Sequence, residues 1–176
     1  LGGTAERYSL VGSAYKRKLM ILSRDASKEI ESLLGLAASA YEEAFKVKGE
    51  YDYYSLINWA QLLKLGSFFS DPARLNEKKW LLGYLQTHEE RLSTSFEKEG
   101  DIWDRFGIAN VKLARLVLEE PNQTADEVAD AFKEVLAKVG ASGHLKAQLE
   151  HYDILIKCLE ASQKPKAQSL ALKIKE

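Results

Sequence analysis

The chain has 176 residues, 45% of them hydrophobic and 29% charged, which is the balance of one folded globular domain with a sizeable core. Its 25 basic and 26 acidic residues leave a formal charge of -1, so the broad positive footprint of a nucleic-acid binder is missing and nucleic acid is not an expected partner. A single cysteine, Cys158, excludes an intrachain disulfide framework and a Cys-rich metal site; no apolar run nears the roughly 20 residues of a membrane span, and a cytoplasmic protein is expected.

The opening Leu1-Gly2-Gly3-Thr4 has neither a basic nor an apolar leader region and no initiating Met, which fits a piece of a longer chain. The three prolines, Pro72, Pro121 and Pro165, fall where helical patterns break, and no hairpin signal or sustained two-residue alternation occurs. The fold is therefore expected to be all-α.

In chain order, the first helix is expected over Ala5 to Leu22, with Tyr8, Val11, Ala14 and Tyr15 on one face. Asp25 then caps a second helix carrying Ile30, Leu33, Leu34, Ala37, Tyr41, Ala44 and Phe45, which Gly49 closes. A third runs from Tyr51 to Leu65 and presents Tyr54, Ile57, Leu62 and Leu65. Ser70-Asp71-Pro72 reads as an N-cap with proline at the first helical position, opening a fourth helix to Glu99, with Trp80, Leu81, Tyr84 and Leu85 inside and Gly100 as terminator. The fifth, Asp101 to Glu120, turns Trp103, Phe106, Val111, Leu113 and Leu116 inward. Thr124-Ala125-Asp126-Glu127 is a capping-box sequence that starts a sixth helix, ending at Val139 before Gly140. Ser142 caps a seventh to Ala161, with Leu145, Leu149, Tyr152, Ile154, Leu155 and Cys158 on its apolar side; a short or frayed last helix follows Pro165 in a Lys-rich tail.

The helices carry a repeat. Tyr8, Val11, Gly12 and Tyr15 have the aromatic, apolar, small, aromatic order of the first helix of a tetratricopeptide pair, and Ala37, Tyr41 and Ala44 the small-aromatic-small order of its partner. Trp103, Phe106 and Gly107 repeat the first pattern with Asn110 in place of the final aromatic, while Val128, Phe132 and Val135 approximate the partner. Tyr54, Ile57 and Asn58 form a weaker middle copy. The copies begin about 46 and 49 residues apart, against a usual period of about 34. The expected architecture is a stack of three antiparallel pairs (1–49, 50–100 and 101–140), a C-terminal capping helix (141–162) and a polar tail (163–176).

Two segments resemble one family more closely. Tyr8-Ser9-Leu10-Val11-Gly12-Ser13-Ala14-Tyr15-Lys16-Arg17 and Tyr54-Ser55-Leu56-Ile57-Asn58-Trp59 are similar to the first and third helices of the bacterial tetratricopeptide-repeat sensor domains. That resemblance implies the sensing or scaffolding part of a multidomain protein in bacterial stress or conflict signalling, often joined to an effector such as a caspase-like protease.

Catalytic chemistry finds little support. His88-Glu89-Glu90 lacks the second histidine of a zinc-protease helix, His144 and His151 stand two turns apart, about 10 Å, and Cys158 falls on an apolar face. No metal or cofactor is expected. Registering the repeats on Tyr8, Tyr54 and Trp103 places Ser9, Ser13, Lys16 and Arg17, then Ser55, Trp59 and Leu62, then Asp104, Arg105, Ile108 and Lys112 on or near the concave face. The candidate binding residues are Lys16, Arg17, Asn58, Trp59, Arg105 and Lys112, with the cations for carboxylate or phosphate and Trp59 as an apolar platform, although a lone Trp also suits a core. The leading expectation is a noncatalytic adaptor or sensor that binds a peptide or a neighbouring effector domain; the alternative is a sensor of a small anionic, nucleotide-like ligand.

Overall fold

The computed structural model describes residues 3–49, 52–69, 78–99, 102–137 and 143–175, and all the regular structure among them is helical. The helices are α1 Ala5–Ile21, α2 Ser27–Lys48, α3 Tyr53–Gly66, α4 Lys78–Glu99, α5 Ile102–Val117, α6 Ala125–Leu136, α7 Gly143–Ala161 and α8 Pro165–Lys175. Successive helices pack as α1 on α2, α4 on α5 and α5 on α6, with α2 and α5 both against α3, which makes an all-α stack of tetratricopeptide type.

Local chemistry sets most of the boundaries. Thr4 Oγ1 accepts the Arg7 N–H at 3.2 Å and opens α1; Asp52 Oδ1 accepts the Ser55 N–H at 3.3 Å and opens α3. The capping box at α6 is complete, with the Glu127 N–H donating to Thr124 Oγ1 at 3.3 Å and the Thr124 N–H to Glu127 Oε2 at 2.9 Å. Gly49, at φ 78°, closes α2 by donating its N–H to the Phe45 carbonyl. Two expectations fail here. Asp25 does not cap α2, whose first flanking residue is Ala26 with no side-chain cap, and the hydroxyl of Ser23 instead takes the Asp25 N–H. Helix α5 stops at Val117 rather than Glu120, because Glu119 turns left-handed at φ 56° and the N–H groups of Glu119 and Glu120 reach back to Leu116 and Arg115. The expected signals at Tyr51, Ser70-Asp71-Pro72, Gly100, Asp101, Val139, Gly140 and Ser142 lie outside the described residues.

One apolar core runs from Leu19 of α1 to Ala171 of α8. Its centre is α3, which is buried on nearly every side and therefore carries Ser55, Asn58, Gln61 and Lys64 into the interior. Such groups need partners, and these partners shape the molecule. Lys64 Nζ bonds the Glu119 carboxylate beyond α5 and lies 4.6 Å from the Phe68 ring centre. On α1 the inward side is Tyr8, Gly12, Tyr15 and Leu19, whereas Val11 and Ala14, expected inside, face solvent. Gly12 is needed there: a Cβ would stand 2.7 Å from the Tyr41 ring.

Helix α7 does more than cap the last pair. Tyr152 meets Phe132 of α6 at 5.6 Å between ring centres, yet the helix also packs on α1 and α3, and Lys157 Nζ donates to the Met20 carbonyl at 2.7 Å. It thus lies across the inner helices of the stack. Helix α8 packs back on α7 through Ala167, Leu170 and Ala171, with Lys175 paired to Glu160 at 2.6 Å.

Candidate functional site

Residues of α1, α3, α5 and α7 line a partly open cavity of about 250 Å³. Its apolar walls come from Tyr53, Tyr54 and Ile57 of α3 and Trp103, Phe106 and Gly107 of α5. Lys16 of α1, Asn58 of α3, Asn110 of α5 and Gln148 and His151 of α7 supply the polar groups. Tyr54 and Trp103 remain 49% and 47% exposed, so the apolar walls include two rings open to solvent. Gly107 lets α5 approach α4 closely, because a Cβ there would fall 2.8 Å from the Leu92 side chain.

The polar side is held by a chain of hydrogen bonds. Asn58 Nδ2 donates one turn back to the Tyr54 carbonyl at 2.9 Å, which turns its Oδ1 toward Lys16 to accept the Nζ proton at 2.6 Å. Asn110 uses the same device on α5, donating to the Phe106 carbonyl at 2.9 Å. Lys16 Nζ also donates to His151 Nδ1 at 2.9 Å; that assignment leaves the imidazole proton on Nε2, where it donates to Gln61 Oε1 at 2.8 Å. Burial pushes the Lys16 ammonium down to about 7. Burial, and then the neighbouring Lys16 charge, holds His151 well below its usual 6.5, so the imidazole stays neutral. Gln61 Nε2 and Gln148 Oε1 are buried with no hydrogen-bond partner.

The expected binding residues divide. Lys16 and Asn58 meet at the cavity. Arg17, next in sequence, points to solvent on the outside of α1. Trp59 is no platform: at 4% exposure it sits in the core against Phe45 and Trp80, at 5.9 and 5.5 Å between ring centres, because α3 has almost no free side. Ser55 and Leu62, expected on the same surface, are buried for the same reason. Arg105 is drawn away by the Glu134 carboxylate and stacks on Phe96 at 4.0 Å, and Lys112 pairs with Glu89 at 3.1 Å. Ser9 and Ser13 bond Ser55 and the Tyr41 hydroxyl at 3.2 and 2.9 Å. Neither Asp104 nor Ile108 lines the cavity.

Sequence reasoning missed His151, Gln148 and Asn110 as site residues. Asn110 had a signal, since it stands where the repeat calls for an aromatic. In the sequence His151 suggests only a metal ligand, two turns from His144; among the described residues no cluster of three or more potential ligands exists, and the His144 side chain is not among those described.

No helix among the described residues is long and apolar enough to cross a membrane. No curated protein and no solved structure gives a match. Residues 2–63, which supply α1, α2 and most of α3, match the family described as Tetratricopeptide Repeats-Sensor. The matched section contributes Lys16, Tyr53, Tyr54, Ile57 and Asn58 to the cavity. Over that section, about a third of its length, the chain is similar to the tetratricopeptide-repeat sensor family, and its all-helical stack is consistent with that likeness.

Proposed function

We propose that this is a noncatalytic sensor module that takes a small, ring-bearing molecule into the cavity between α1, α3, α5 and α7, and passes occupancy to a protein partner, such as an effector domain of a larger bacterial signalling or conflict-system protein. One observation carries the choice of a small ligand over an extended peptide. Helix α7 packs on α1 and α3, where a groove-bound peptide would run, and leaves a partly open cavity of about 250 Å³. That size is just below the roughly 300–1,000 Å³ of pockets for drug-sized ligands. Its aromatic walls suit a flat ring, and its amides and Lys16 suit polar substituents at the ring edge.

A thermal-melt panel of nucleotides and other ring-bearing metabolites tests this reading. At least one compound should raise the melting temperature in a concentration-dependent way, and Asn110→Phe, which fills the cavity, should abolish the shift while leaving the far-ultraviolet circular dichroism unchanged. Silence across the panel, together with direct binding of the wild-type domain to an effector fragment, favours a pure adaptor instead.

A further inference from the structure

The charge inventory of the cavity says more about its occupant. Lys16 is half-buried, and both of its recorded partners, Asn58 Oδ1 and His151 Nδ1, are neutral. Its Nζ also stands 6.0 Å from the ring centre of Tyr41 of α2. None of the described residues lining the cavity is an aspartate or glutamate. An ammonium has three donors, and only two have acceptors here. Buried cations are normally matched by an anion, since desolvation without one is costly. The half-buried cations of α5, Arg105, Arg115 and Lys112, are each ion-paired to a glutamate.

Resting on the cavity reading above, we infer that the ligand is an anion, a flat aromatic ring bearing a carboxylate or phosphate, whose charged group supplies the missing counter-ion to Lys16 while its ring lies between the α3 and α5 aromatics. Gln148 Oε1, buried at the α7 side without a donor, marks where a ring N–H or hydroxyl of the ligand would bond. The groups facing Lys16 are Asn58 from α3, Tyr41 from α2 and His151 from α7, and none of them carries a negative charge at neutral pH. With burial holding the ammonium near 7, an arriving anion raises its affinity for a proton, so binding takes up a proton around neutrality and weakens as pH rises.

Matched probe pairs decide the matter: indole-3-acetate against indole-3-acetamide for the carboxylate arm, and phenyl phosphate against phenol for the phosphate arm. Binding is read by saturation-transfer NMR on the intact chain. At pH 6.5 at least one anion should bind about tenfold or more tighter than its neutral partner, the range of a hydrogen bond to a charged group. The ratio should shrink by pH 9 in the wild type, and vanish in Lys16→Met, which keeps the side chain's length. The wild-type pH series stands even if the variant folds poorly. Equal binding of charged and neutral partners, or a preference that survives both high pH and Lys16→Met, overturns the inference while leaving the cavity reading intact. No binding by any probe of either kind counts against both.

Discussion

At Lys16 the local sequence and the distant fold meet. Folding lowers its pKa from 10.5 to about 7, so between those values the unfolded chain holds the extra proton and stability rises with pH across that window. His151, kept neutral well below 6.5, has the same sign on the acid side: stability falls as pH drops beneath that value, because unfolding lets the imidazole charge. Urea midpoints of wild type and Lys16→Met measured from pH 6 to 10 should converge in the alkaline range and separate toward pH 7, with the variant the more stable there. A constant gap at every pH would contradict the burial cause. Lys16 itself stood out in the sequence because it belongs, with Arg17, to the end of a motif in the first helix. Arg105 and Lys112 looked equivalent and are not, since the carboxylates that engage them sit 29 and 23 residues away and only folding brings them close.

The helices themselves were largely legible where the signal was local. The Thr124 capping box was a four-residue motif, and Thr124→Ala should cost about 1 kcal/mol by removing the acceptor for the Glu127 N–H, measured as a lower denaturant midpoint. Gly12 was legible as a small residue of the repeat, and the structure shows why. Gly12→Ala drives a methyl to 2.7 Å from the Tyr41 ring and should destabilise by about 1–3 kcal/mol. Gly83→Ala, in the middle of α4 with nothing within 4 Å, should stabilise by about 0.5–1 kcal/mol. Opposite shifts in melting temperature are expected from the two alanines; shifts of the same sign would refute the packing of α1 on α2. The inward faces were less legible. Helix α3 buries even its polar residues Ser55, Asn58, Gln61 and Lys64, so periodicity could not tell Trp59 in the core from Tyr54 at the cavity, although both are aromatic and five residues apart.

At the scale of the molecule, the repeat predicted a stack of pairs, but the fold-back of α7 onto α1 and α3 had no sequence signature. It depends on contacts such as Lys16 with His151, 135 residues apart. The positions that depart from the repeat, Asn58 and Asn110, carry two of the cavity's amides, which explains why the cavity coincides with weak copies of the pattern. His151→Leu removes the two imidazole bonds that help tie α7 to α1 and α3, leaves Gln61 Oε1 buried and unpaired, and should cost about 1–3 kcal/mol. Amide exchange should then quicken in α7 and α8 while α4 and α6 keep their protection; uniform loss throughout would mean that α7 is not a separately docked element.

The enclosure of a small ligand by α7 is tested most directly by hydrogen exchange on the wild-type chain, with and without a saturating amount of the compound that most raises its melting temperature. Slower exchange confined to α1, α3, α5 and α7 around Lys16, Asn58, Asn110 and His151 is the predicted result. Protection appearing instead on α2 and α4, with α7 unchanged, would contradict it.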